Sequence, residues 1–250
     1  MLMSPSRSAN SAPGRAEAYH APTEIRSMRL RELLQSAKRV SEWDANKLNH
    51  FMSAGLDPAM MLFLAGEREL LTGPCVSIVG KRDATTQGLA RASRLARELG
   101  KQGVTIVSGL ARGIDTAAHL STLESGGRTA AVIGTPLSKA SPVQNSGLQE
   151  TIWRDHLLVS PFAEGTQVYP ANFPQRNRVM AAVSDATVIV EADDDSGSLH
   201  QAVACQKLGR WLFILRSVVD NRKWPQRFLN IKNTVILEHT GQILDALGLQ

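Results

Sequence analysis

Aromatic residues are scarce in this sequence. Phenylalanine, tryptophan and tyrosine make up 5% of 250 residues, so aliphatic strands and alanine-rich helices must supply most of the core. Cysteine is scarcer still. Cys75 falls in an apolar run and Cys205 in an alanine-rich one; no disulfide framework or clustered metal spacing results, and both read as buried free thiols. No glycine turn closes on Gly-Lys-Ser or Gly-Lys-Thr, which excludes a P-loop. The first residues lack the continuous apolar stretch of a signal peptide, and no later run is long enough for a bilayer. A cytoplasmic protein with no membrane partner is expected. What the chain does have is positive charge: 28 Lys and Arg against 23 Asp and Glu give a formal charge of +5 and a pI near 9.5. That balance favours an acidic partner such as nucleic acid.

Residues 1–27 are rich in Ser, Ala, Pro and Gly without periodicity and are expected to form a disordered tail. Residues 28–72 read as a small helical lead-in. Leu30, Leu33, Leu34 and Ala37 share one stripe, and Asp57-Pro58 reads as the start of a second helix through "AMMLFLAG". From 73 to 250 short aliphatic runs alternate with amphipathic stretches: "CVSIVG", "VTIVSG", "TAAVIGT", "LLVS", "ATVIVEA", "WLFIL" and "TVIL". Runs that are apolar on both faces suit a covered sheet, and intervening helices imply parallel strands joined by crossovers. The expected fold is α/β, a Rossmann-like, doubly wound and mostly parallel sheet. In the helix after the first run, Leu89, Ala92, Leu95, Ala96 and Leu99 face one way, and Arg91, Arg94, Arg97 and Lys101 form a solvated stripe.

Open parallel sheets bind ligands outside the carboxyl ends of their strands, where helix N-termini expose unpaired N–H groups. In "VGKRDATTQG", Gly80 closes a strand, Lys81 and Arg82 project from the turn, and Thr85 or Thr86 caps the next helix. "SGLARGIDTAAH" ends a second strand with two glycines and Arg112. "VIGTP" follows a third, and "VEADDDSGSLHQA" brings Ser196, Gly197 and Ser198 to another helix start. Glycine there permits positive φ and close backbone approach. Any α/β fold needs some glycines at strand ends, but several such turns flanked by Lys81, Arg82 and Arg112 point to an anion site. "NFPQRNR" adds Arg176 and Arg178 near the positive end of a helix begun by Asn172 and Pro174. A bound anion, or pairing with Glu191 or the Asp193–Asp195 run, would offset that unfavourable placement.

Four blocks in order, "VSIVGKRDATTQG", "VTIVSGLARGIDTAAHLSTLESGGRTAAVIG", "FPQRNRVMAAVSDATVIVEADDDSGSL" and "LGRWLFIL", resemble the DprA/Smf family of bacterial DNA-processing proteins. The resemblance covers about residues 61–247. It implies an extended Rossmann-like domain that binds single-stranded DNA, hands it to a RecA-type recombinase in natural transformation, and forms a homodimer. Positions matching the family's DNA pocket are Gly80, Lys81 and Arg82, then Ser108, Gly109, Ala111 and Gly113, then Arg176, Asn177 and Arg178. Backbone amides and arginines would capture phosphates, and bases would stack on Phe173 or Tyr169. If Lys81, Arg82, Arg112, Arg176 and Arg178 all touch phosphates, log K falls with log[salt] at a slope of about −3.5. The sequence departs from the family pattern at several places. Lys81 replaces a small residue, Ser141 a tyrosine, Pro161 a glutamate and Gln201 a threonine, and "LFILRSVVDNRKWPQRF" lacks the Pro-Gly turn. The reading is of a divergent member without the winged-helix tail many members carry.

Asp115 and His119 stand four apart on one helical face. The expectation is that Asp115 hydrogen-bonds turn amides at the helix start and that His119 is a packed core residue. Neither catalysis nor a metal or other cofactor is expected. Two further readings share the superfamily resemblance: a nucleotide-sensing module of defence or signalling, and a LOG-like nucleotide phosphoribohydrolase. The hydrolases rely on a Pro-Gly-Gly…Gly-Thr stretch with a nearby glutamate. "EADDDSGSLHQA" lacks both the paired glycines and the downstream acid.

Overall fold

The computed structural model describes residues 19–194 and 196–249. Along the chain, β1 (Arg26–Arg29), α1 (Leu30–Ser36), α2 (Ala45–Ser53) and β2 (Met61–Gly66) come first. There follow β3 (Cys75–Gly80), α3 (Thr86–Lys101), β4 (Thr105–Ser108), α4 (Ile114–Glu124), β5 (Thr129–Val132), α5 (Ser146–Asp155) and β6 (Leu157–Ser160). The last third carries α6 (Asn172–Val183), β7 (Ala186–Glu191), α7 (Ser198–Lys207), β8 (Trp211–Leu215), α8 (Arg216–Asn221), β9 (Thr234–Leu237) and α9 (Gly241–Leu247).

All seven expected aliphatic runs are strands. Among the described residues they join β1 and β2 in one sheet of order β1-β2-β6-β5-β4-β3-β7-β8-β9. Neighbours from β6 through β9 run parallel, while β1 and β2 pair antiparallel at one edge. The chain builds outward from β3 to β6, then returns to lay β7, β8 and β9 on the other side of β3. Between β3 and β7 the order therefore reverses, which opens a crevice at the carboxyl ends of the strands. The central strands are covered on both faces: Val76, Ile78, Ile106, Val107, Val188 and Ile189 are fully buried. In α3, Ala92, Leu95, Ala96 and Leu99 face this core, and its outer arginines have local partners. Arg94 pairs with Glu98 at 2.7 Å, Arg91 donates to Ser217 and Arg97 to Ser121.

The lead-in is not wholly helical. Its stripe of Leu30, Leu33, Leu34 and Ala37 is buried as expected. Asp57-Pro58, however, makes a turn: Asp57 Oδ1 accepts from Ala59 N at 2.8 Å and Asp57 O from Met60 N at 3.0 Å. That turn delivers Met61–Gly66 as β2, paired to β6 with Phe63 opposite Ser160. A six-residue apolar run is too short for a full amphipathic helix, and the sheet edge satisfies its backbone groups. The expected boundary near residue 72 is also bridged. Arg39 donates to Gly73 O and to Asp185 Oδ2, both at 2.9 Å, and the same carboxylate oxygen accepts from Cys75 N. Of the expected tail, residues 1–18 lie outside those described. Residues 19 and 20 lie along α5, where Tyr19 Oη donates to Leu137 O at 2.7 Å and Trp153 Nε1 to His20 O. Cys75 and Cys205 are buried, which pushes both thiols up to about 12. Among the described residues no helix is long and apolar enough to cross a membrane.

Candidate nucleic-acid interface

Three of the expected turns meet α6 at the crevice beside β3 and line a hollow of about 470 Å³; the turn after β5 does not line it. The first turn is braced from both sides. Lys81 N donates to Glu191 O at 2.9 Å, and Lys81 O accepts from Ile114 N at the start of α4. Thr85 caps α3 by accepting from Gly88 N at 3.0 Å, while its own N–H and hydroxyl donate to Glu191 Oε2. Glu191 is thus spent on the first turn and does not meet Arg176. Gly113 sits at φ 78°, and a Cβ there would lie 2.3 Å from Lys81 O and 2.4 Å from Arg82 O. Only glycine lets the second turn pass this close to the first.

The second turn is occupied by the chain's own carboxylate. Asp115 Oδ2 accepts from Gly109 N at 3.2 Å and Ala111 N at 3.4 Å. These are amides that the sequence suggested for phosphate capture; Asp115 uses them instead, as its position in the first turn of α4 favours. Ser108 is buried and donates to Ile78 O at 2.7 Å, so it ties β4 to β3 and does not reach the hollow. His119 is fully buried with Nδ1 2.7 Å from Thr129 Oγ1, and burial pushes its pKa down to about 3.

Helix α6 supplies the floor. Asn172 Nδ2 donates to Gly134 O, the Phe173 ring packs on Gly134, and Asn177 Nδ2 donates to Gly197 O at 3.1 Å. Arg176 is 5% exposed; its Nη1 donates to Val132 O at 3.0 Å and lies 4.0 Å from Asp115 Oδ2. Burial disfavours both charges of this pair. It raises the Asp115 pKa against the pull of Arg176 and the turn amides, and lowers that of Arg176 against the pull of Asp115. Arg176 is therefore a structural cation beneath the site. Arg178 points elsewhere, beside Gly55 and into a separate small hollow with His200 and Lys207. The helical period alone carries this signal, because residues two apart lie about 200° round a helix and cannot share a face.

At the rim, Arg82 Cζ stands 5.4 Å from the Phe173 ring centroid. Among the described residues Arg82 has no carboxylate partner. Lys81 Nζ instead meets Asp193 Oδ2 at 2.7 Å, and Arg112, which does not line the hollow, meets the lining residue Asp83 at 3.5 Å. Ser196 and Ser198 share a hydroxyl–hydroxyl hydrogen bond of 2.7 Å beside Gly197. Tyr169 is exposed and does not line the hollow. Asp193 also accepts from Arg222, a residue with no local signal, and Asp194 accepts from Trp224 N. The acidic run is therefore tied to the rim at its first two positions; Asp195 lies outside the described residues.

A family model described as DNA recombination-mediator protein A matches residues 42–247. DNA processing protein DprA of Streptococcus pneumoniae is 38% identical over 179 residues, which are 71% of this chain and 61% of that protein. Protein Smf of Synechocystis is 42% identical over 177 residues, 70% of this chain and 44% of that one. The chain thus spans less than two thirds of the length of these curated relatives. The X-ray structure of DprA from Streptococcus pneumoniae superposes with a TM-score of 0.72 at 31% identity, covering 89% of this chain and 74% of that one. A structure of DNA processing protein A from Helicobacter pylori, described in terms of that protein's single-stranded DNA binding mode, has a TM-score of 0.69 at 28% identity. It covers 82% of this chain and 93% of the other.

Proposed function

The chain belongs to the DNA recombination-mediator protein A family, and on that footing we propose that it captures single-stranded DNA at the switch-point hollow and delivers it to a RecA-type recombinase. It does so as a cytoplasmic homodimer in the processing of DNA for natural transformation. The observation that carries the reading is the Arg82–Phe173 pair. A guanidinium with no carboxylate partner among the described residues, set over an aromatic ring at the mouth of the hollow, offers one group for a phosphate and one for a base.

The mechanism differs from amide capture. With the Gly109 and Ala111 amides held by Asp115, phosphate binding falls to side chains. Arg82 is available directly, and Lys81 and Arg112 contribute when a phosphate replaces their carboxylate partners. The slope of log K against log[salt] is then about −0.7 for Arg82 alone and about −2.1 for all three. A binding role without catalysis fits the partners of Asp115 and His119, which are turn amides and a core threonine.

Fluorescence anisotropy with a dT oligomer, a duplex and a labelled mononucleotide tests this. The oligomer is expected to bind in preference to the duplex, and Arg82→Ala to weaken it and flatten the slope by about 0.7. Unchanged oligomer binding by Arg82→Ala overturns the site. Tight mononucleotide binding without preference for a strand replaces the reading with a nucleotide sensor.

A further inference from the structure

Among the described residues the lining of the hollow is electrically balanced. Lys81, Arg82 and Arg176 stand against Asp83, Asp115 and Asp193. Asp115 belongs to buried Arg176, and Asp83 reaches outward to Arg112. Asp193 is placed differently, because its two oxygens hold two separate cations. Oδ2 lies 2.7 Å from Lys81 Nζ, and Oδ1 lies 2.7 Å from Arg222 Nη2. Arg222 is fixed further by Nε donating to Ala192 O. A carboxylate bridging an ammonium and a guanidinium presents the same two oxygens that a phosphodiester would bring. The three side chains are 26%, 39% and 39% exposed, so water reaches the bridge and the interaction is exchangeable.

We propose that Asp193 is an internal counter-anion, occupying the phosphate position between Lys81 and Arg222 and thereby setting the affinity and salt dependence of strand binding. This rests on the single-stranded DNA reading above. A backbone phosphate takes the place by displacing the carboxylate, and both cations then pass to the ligand. The hydrogen bond from Lys81 holds the Asp193 carboxyl below the usual carboxylate range, so the competitor stays ionised at neutral pH. A mere brace between the acidic loop and the first turn would behave in the opposite way, since cutting it would loosen the rim and weaken binding.

The test measures binding of a dT oligomer and of inorganic tripolyphosphate by wild type, D193N, D193S, K81A and K81A/D193N over a salt series. For each further phosphate charge that the released cations neutralise, D193N and D193S are expected to steepen the log–log slope by about 0.7 and to bind about fivefold more tightly at 0.1 M salt. K81A is expected to cost more in the D193N background than in the wild type. If both Asp193 variants bind either anion no more tightly, with unchanged slope, the counter-anion assignment is wrong. Should the oligomer bind wild type through Arg82 with D193N identical to it, this proposal fails and the DNA reading stands. Should D193N bind tripolyphosphate more tightly while no variant binds the oligomer, the counter-anion stands and the DNA reading fails.

Discussion

One added methyl group at Gly109 should unseat Arg176. A Cβ there would lie 1.2 Å from Arg176 Nη1, 2.3 Å from Cζ and 2.7 Å from Nη2, whereas ordinary contact begins at 3.4 Å. The guanidinium must shift by about 2 Å to make room. It cannot do so freely, because Nη1 is held by Val132 O and faces Asp115. Moving it removes a charge-assisted hydrogen bond, about 1.5–3 kcal/mol, and leaves Asp115 with two amides and no cation. Breaking a buried pair from one side costs about 3–5 kcal/mol, and we expect Gly109→Ala to destabilise by that amount. In a chain of this size that lowers Tm by about 6–20 °C. Gly109 is not at positive φ, so the cost is steric and electrostatic and does not come from the backbone. Urea unfolding followed by circular dichroism measures it. A double-mutant cycle with Arg176→Ala separates the causes: the methyl fits once the guanidinium is gone, so the double variant should cost less than the sum by about 1 kcal/mol or more. A Gly109→Ala change within about 0.5 kcal/mol of wild type, or strict additivity, refutes the reasoning.

Two further outcomes follow from where side chains are placed. Arg178→Ala should keep the oligomer affinity and salt slope of the wild type, since Arg178 lies beside Gly55; a slope lower by about 0.7 would put it in the mouth. His119 is buried and neutral, with a pKa of about 3 against the ordinary 6.5. The unfolded chain therefore takes up a proton that the folded state refuses, and stability falls as pH drops from about 6.5 to about 3, by about 1.4 kcal/mol per unit from this residue. His119→Gln should flatten that acid limb in urea midpoints measured across pH, and an unchanged limb counts against the assignment.

Much of the architecture was legible before any coordinates. The seven aliphatic runs could be assigned to strands because strands covered on both faces, as β3 to β8 largely are, carry apolar residues at successive positions, and the Thr85 cap and the Asp115 amide contacts follow from residues a few positions apart. The run after Asp57-Pro58 forms a strand and not the expected second helix, because a six-residue apolar run carries no period. Gly66 at φ 97° and the free edge of β6 decided it as a strand. At the site, the sequence brought the correct turns together but overcounted the free cations. Arg176 is cancelled by Asp115, and Lys81 is paired with Asp193, which also holds Arg222.

From the residues alone, the α/β fold and the switch-point turns were determined, because periodicity, capping and turn chemistry act over a few neighbours, while the family resemblance rested on four motif blocks in order. Which of the many charges remain available to a ligand was decided only by the tertiary structure. Electrostatic compensation depends on distances of a few ångströms between residues far apart in the chain, and no local pattern encodes those distances.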